Sequence, residues 1–327
     1  MRQGMGRITI PAGLALLLAA CGGDPKGPPP PPPTGLSASK ASPSGDNQTG
    51  NVQFPLAGDL RIVVQDAGTP ASGVAVNWSG TGTNGSFNPA SGTTDANGLA
   101  TTRWTLPEEA GQHIAAADVA GASGSPVTFT AIGRPGAAST LVRVSGNDQA
   151  GGLGLPADEP LVVSVRDQYG NGVSGVTVEW EVTQGDAVVP PVSQSGSNGQ
   201  AQALVVYGQI SAIPIIVAAR VTGIGAVSFN LIAGHLIVVE NPVGQPPRFA
   251  PNQLNINTGS YVVWKWAPDA VNHNVVPDLL LPPRSGNPTN GPHTYVYQFL
   301  SAANYAFYCE VHGGPGGVGM SGLISVN

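Results

Sequence analysis

Leu60-Arg-Ile-Val-Val-Gln-Asp66, followed after a short turn by Gly73-Val-Ala-Val-Asn-Trp78, is matched later by Leu161-Val-Val-Ser-Val-Arg-Asp167 and Gly175-Val-Thr-Val-Glu-Trp180. Asp66 and Asp167 lie 101 positions apart, and Gly73 and Gly175 lie 102 apart. Downstream, Asp95-Ala-Asn-Gly-Leu-Ala100 is matched by Gly196-Ser-Asn-Gly-Gln-Ala201. Alternation in Val74-Ala-Val76 and Val176-Thr-Val178 turns one face of each strand inward, with Trp78 and Trp180 capping the core. Asn97-Gly98 and Asn198-Gly199 supply the left-handed conformations that tight turns need. A repeat of this length is the size of one β-sandwich and too long for a solenoid unit.

The composition agrees. Gly (46) and Pro (31) make up nearly a quarter of the 327 residues, and charged residues only 10%. Helix-period runs are missing after the N-terminus, so an all-β chain is expected. A net charge of −6 with 13 basic residues leaves no footprint for nucleic acid or an anionic membrane surface.

Each repeat resembles the bacterial immunoglobulin-like units of intimin/invasin-type surface proteins. The second carries the closer match, Val165-Arg-Asp-Gln-Tyr-Gly-Asn-Gly-Val-Ser-Gly-Val176. The first departs by one deletion, with Ala67-Gly-Thr-Pro70 in that turn. The resemblance implies two tandem Ig-like sandwiches with a spacer or display role. Gly133-Arg-Pro-Gly136 and Ala233-Gly234 read as junctions, giving domains at 50–133, 134–233 and 234–327.

At the N-terminus, Arg2 and Arg7 precede an apolar stretch, Ile8 to Ala20, shorter than the roughly 20 residues a spanning helix needs. Its end, Leu18-Ala-Ala-Cys21-Gly22, resembles the lipobox of bacterial lipoproteins. That resemblance implies a signal peptide over 1–20, a lipid on Cys21, and an exported protein anchored to a bacterial membrane, periplasmic or at the cell surface. An ordinary signal peptide cleaved near Ala20 is the alternative. Residues 21–49, with six prolines from Pro28 to Pro33, read as a semi-rigid linker, and Thr34 to Thr49 as more linker or an irregular first strand. Cys21 and Cys309 are the two cysteines of the chain. With Cys21 lipidated, Cys309 is an exported thiol that must be buried, paired between chains or bound to metal.

After Gly234 the aromatic density rises. Strand-like runs fall at Leu236–Val239, Leu254–Ile256, Tyr261–Trp266, Tyr295–Phe299, Asn304–Tyr308 and Leu323–Val326. Set among them are His273 in Asn272-His-Asn-Val-Val276, then Tyr308-Cys-Glu-Val-His312, then Gly319-Met-Ser-Gly322. One thiolate, two imidazoles and a weak thioether form the donor set of copper electron-transfer sites. His273-Asn-Val-Val276, Tyr305-Ala-Phe-Tyr-Cys309 and Gly319-Met-Ser-Gly-Leu-Ile-Ser-Val326 resemble the corresponding segments of plastocyanin-like cupredoxins. The resemblance implies a Greek-key sandwich or barrel holding one type 1 copper through His273, Cys309, His312 and axial Met320. It also implies that Asn274 braces the ligand loops and that His312 lies nearest the surface. Seven residues separate His312 from Met320 where plastocyanins have four, which puts the axial position of Met320 in question.

The function expected is that of a membrane-anchored electron carrier, transforming no substrate and serving unidentified redox partner proteins. A surface adhesion protein bearing a copper module, or copper storage or delivery, are the alternatives. Three methionines in the chain do not favour storage. His113 and His235 lack neighbouring ligands, His293 on a Pro-rich turn reads as structural or solvent-facing, and Glu108, Glu109, Asp158 and Glu159 read as solvated loop acids.

Overall fold

Leu60, Ile62 and Val64 alternate with Arg61, Val63 and Gln65 along one strand, and only the first set is fully buried. Leu161, Val163 and Val165 repeat the pattern in the second unit. Burying each such side chain contributes about 1.5–3 kcal/mol, so a one-residue slip would expose the whole set. The computed structural model describes residues 35–327, and every element in them is a strand. The expected signal segment, Cys21 and the proline run fall outside the described residues.

In the first sandwich one sheet runs Leu36–Lys40, Leu60–Asp66, Leu99–Thr105, Ser86–Asn88. The facing sheet runs Gln48–Asn51, Val127–Arg134, Gly111–Asp118, Ala75–Gly80, Ser91–Thr93. The second sandwich repeats the plan with Thr140–Ser145, Leu161–Arg166 and Gln200–Ala203 against Val192–Gln194, Thr177–Gln184, Ile215–Val221 and Gly225–Glu240. Trp78 rests on Phe129 and Trp180 on Phe229, each pair with ring centroids 6.0 Å apart.

The first boundary needs correcting. The stretch up to Thr49, read as linker or an irregular first strand outside a domain starting at 50, supplies strands 36–40 and 48–51 of the first sandwich: Leu36 and Ala38 are buried, and Gln48–Asn51 pairs in parallel with residues 131–134. A repeated Gly-x-x-Gln marks this turn at Gly45–Gln48 and again at Gly146–Gln149. Gln48 donates to Gly58 O (2.8 Å) and accepts from Gly58 N (2.7 Å). Gln149 does the same with Glu159, at 2.9 Å both ways.

The junction at Ala233-Gly234 is crossed by one unbroken strand. Gly225–Glu240 is one strand of 16 residues. Its first part pairs with Ile215–Val221 and Gln149–Gly152 of the second sandwich. Residues 235–239 pair in parallel with 262–266 of the C-terminal domain. Gly234 serves close strand approach here, since a Cβ would sit 2.8 Å from Tyr261 O. Across the same junction Lys265 pairs with Asp158, expected as a solvated acid, at 2.5 Å. Tyr261–Trp266 continues the sheet to His293–Gln298. The second C-terminal sheet is ordered Gln253–Ile256, Val318–Val326, Ala303–Gly314, Val276–Pro277.

Between the two sandwiches the Gly170-Asn171-Gly172 turn acts as a clasp. Asp167, 2% exposed, accepts from Tyr169 N, Asn171 N and Gly136 N at 2.8–2.9 Å. Asn171 then donates to Glu108 O (2.7 Å) and accepts from Ala110 N (2.8 Å) in the first sandwich. The equivalent turn of the first repeat, shortened by its deletion, is exposed from Asp66 to Pro70. Burial alone would raise the Asp167 carboxyl, but the Asn171 amide and the three backbone donors outweigh it and hold the pKa below 3.8. The carboxylate therefore adds stability above that ordinary value, which is lost as pH falls through the lower folded one. Asp167→Ala should lower unfolding stability at pH 7 by about 1–3 kcal/mol, the cost of buried donors left without an acceptor. Chemical denaturation measures this, and an unchanged midpoint would contradict the clasp.

Candidate metal centre

Three loops deliver the site. His273 follows Asn272, which adopts a left-handed φ of 63° and whose N–H is held by Asn290 Oδ1 at 2.9 Å. Asn tolerates that conformation better than most residues. The backbone of His273 is fixed on both sides: it exchanges hydrogen bonds with Thr289, both 2.9 Å, and its carbonyl also accepts the Trp266 indole N–H at 3.1 Å. Cys309 and His312 lie on Ala303–Gly314, where the pairing with Val318–Val326 breaks between Tyr308 and Gly313. That irregularity turns both side chains to one side.

The three donors converge. Cys309 Sγ lies 3.6 Å from His273 Nδ1 and 3.6 Å from His312 Nδ1, and the three ligand atoms fall within 4.8 Å of one another. An ion bonded to sulfur at about 2.3 Å and to imidazole nitrogen at about 2.0 Å, in a trigonal plane, separates S from N by roughly 3.7 Å. The spacing fits one metal ion. Cys309 and His273 are fully buried, whereas His312 is partly exposed and so is the donor that meets solvent.

Met320 is 3% exposed and belongs to the same core as Cys309 and Val275. The long segment after His312 does not form an open loop. Gly313 and Gly314 pair with Gly319 and Val318, so the extra residues project as a short hairpin and the chain returns at Met320. Gly319 sits at φ 62°, where a Cβ would lie 2.4 Å from His312 O.

Asn274, fully buried, donates to Gly286 O (3.1 Å) and Glu310 Oε1 (3.0 Å) and accepts from Glu310 N (3.2 Å). It thereby ties the His273 loop to the residue following Cys309. Arg284 pairs with the same Glu310 carboxylate. Two contributors carried no sequence signal. Asn241 Oδ1 lies 2.6 Å from His273 Nε2, and Trp266 stacks edge-on against His293 at 4.8 Å while bonding the His273 carbonyl. His113, by contrast, is a core residue bonded to Glu109 O at 2.7 Å.

No protein-family model matches the chain, and no curated protein matches it in sequence. Solved structures match in two groups. Intimin/invasin-type Ig-like domains are neighbours over most of the chain, and cupredoxins over the C-terminal part. The Escherichia coli adhesin FdeC covers 89% of this chain and 96% of its own, at 16% identity and a TM-score of 0.40. A purple cupredoxin from Nitrosopumilus maritimus covers 28% of this chain and 98% of its own, at 24% identity and a TM-score of 0.23. Plastocyanin from Dryopteris crassirhizoma covers 28% and 99%, at 21% identity and a TM-score of 0.21.

Burial, and secondarily the nearby His312, lowers the His273 pKa from 6.5 to about 4. Between those values the unfolded chain binds a proton that the folded chain refuses, so stability rises with pH across that window and levels off above 6.5. In metal-free protein the unfolding midpoint of the C-terminal domain should climb over this range, and His273→Gln should flatten most of the climb. A midpoint indifferent to pH there would show that the imidazole is not desolvated.

Proposed function

We propose that the chain is an exported electron carrier in which His273, Cys309 and His312 would hold one copper ion, with the Met320 thioether as a further, weaker donor. The observation that carries this reading is the convergence of two imidazole Nδ1 atoms on a buried thiol at equal distance. A soft thiolate with two imidazoles selects copper over the harder divalent ions. Bound copper supplies a one-electron couple between Cu(I) and Cu(II).

The chain's own residues do the rest. Cys309, out of solvent, provides the anionic sulfur donor and is shielded from oxidation and disulfide exchange. The neutral form of His273, favoured by burial, is the form that can bind a metal. The partly exposed His312 is the donor through which an electron would pass to a partner protein. Asn274 and the paired backbone of His273 hold the donors in one geometry, so that little rearrangement accompanies a change of charge. The Ig-like pair serves as a spacer. Residues 22–34 would tether it to a membrane through a lipid on Cys21. No substrate is transformed. Storage is disfavoured because, among the described residues, the donors form one cluster, and the sequence has three methionines and no methionine tract.

The test uses the full mature chain, because a cut at 234 would sever a continuous strand. Copper(II) addition should give an intense visible band and a narrow copper hyperfine splitting in electron paramagnetic resonance, both abolished by Cys309→Ser. A square-planar signal unaffected by that substitution would overturn the proposal. Met320→Leu should keep the colour and shift the midpoint potential.

A further inference from the structure

Asn241 is the first residue after the strand Gly225–Glu240, and its side chain turns back to the metal centre. Its Oδ1 accepts the backbone N–H of Val271 at 2.9 Å. That bond settles which end of the amide faces the site, since a backbone N–H can only donate and only the oxygen can receive it. The same oxygen lies 2.6 Å from His273 Nε2. Two acceptors do not approach so closely without a proton between them, so Nε2 carries the hydrogen. Nδ1 is then bare, with its lone pair directed toward Cys309 Sγ at 3.6 Å.

We infer that Asn241 is a positioning residue that fixes His273 in the Nε2–H tautomer and presets Nδ1 as a donor before any metal arrives. The inference rests on the metal-centre reading for its purpose but not for its geometry. Among the described residues no other group is hydrogen-bonded to His273 Nε2: Cys309 faces Nδ1, the Trp266 indole and Thr289 bond the backbone, and Asn274 bonds Gly286 and Glu310. Val271 and His273 belong to one loop, so Asn241 also holds that loop against the end of the strand shared with the second sandwich. Removal of such a partner typically lowers metal affinity by about 10–100-fold.

The experiment reads the imidazole nitrogens directly. In full-length, metal-free protein labelled with ¹⁵N-histidine, at a pH where His273 is neutral, Nε2 should give the protonated shift and Nδ1 the bare one. Asn241→Leu, close in volume and without an acceptor, should mix or reverse the tautomers and weaken Cu(I) binding by about 10–100-fold. Asn241→Asp, which keeps the acceptor, should restore the wild-type pattern and guards against a Leu variant that fails to fold. An Nδ1–H tautomer in the wild type would overturn the inference. So would an unchanged pattern and unchanged affinity in Asn241→Leu. The tautomer is decided without copper, so failure of the copper reading would be seen separately, as a chain with the expected tautomer that binds no Cu(I).

Discussion

The hydrogen-bond ladder of the strand Gly225–Glu240 is the constraint on which the rest of this molecule depends. A single run of backbone serves as an inner strand of the second sandwich and as a founding strand of the C-terminal domain. A polypeptide can pass between domains on a flexible linker, and then relative motion is the default. Here the register is continuous, with Gly234 allowing the close approach that lets the ladder run through. Asn241, at the end of this strand, meets the buried ligand histidine, so the metal centre is anchored partly from outside its own domain.

Around that strand the chain builds order in one direction. The turn that in the second repeat carries Asp167 and Asn171 clasps the loop at Glu108–Ala110 of the preceding sandwich. One repeat further on, the loop near Ser211 and Ala212 takes hydrogen bonds from Tyr261 and Gln298. The same edge of each sandwich thus holds the next domain, through different residues suited to different partners. The first repeat keeps the aspartate as Asp66 but has no counterpart of Asn171 in its shortened turn, and that turn is exposed.

Much of this was legible in the sequence, for stated reasons. The two sandwiches announced themselves through apolar alternation and Asn-Gly turns, which are local signals. His273, Cys309, His312 and Met320 stood out because soft and imidazole donors are scarce in this chain. Strands 36–40 and 48–51 were left open between linker and an irregular first strand because small residues such as Ala38 and Gly50 carry little hydropathy, although Gly-x-x-Gln repeats at 45 and 146. At Ala233-Gly234 the pairing passes from the second sandwich to the C-terminal domain, but the sequence did not show that one unbroken strand crosses it, because a glycine that permits a turn and one that permits close packing look alike. Asn241 could not have been found, since Asn-Pro reads as an ordinary turn and its contact with His273 spans 32 residues. The hairpin after His312 shows the opposite case. Its length put the axial position of Met320 in question, and the structure shows that the extra residues pair as a hairpin and return the chain to a buried Met320.

The central claim is that two imidazole nitrogens and one buried thiolate bind a single copper ion. X-ray absorption of the copper-loaded full-length chain tests it most directly, because it reports the atoms bound to the metal. The account expects one short Cu–S bond and two Cu–N bonds in a first shell that changes little on reduction. A shell of nitrogen and oxygen alone, or one that rearranges extensively between the two oxidation states, would contradict it.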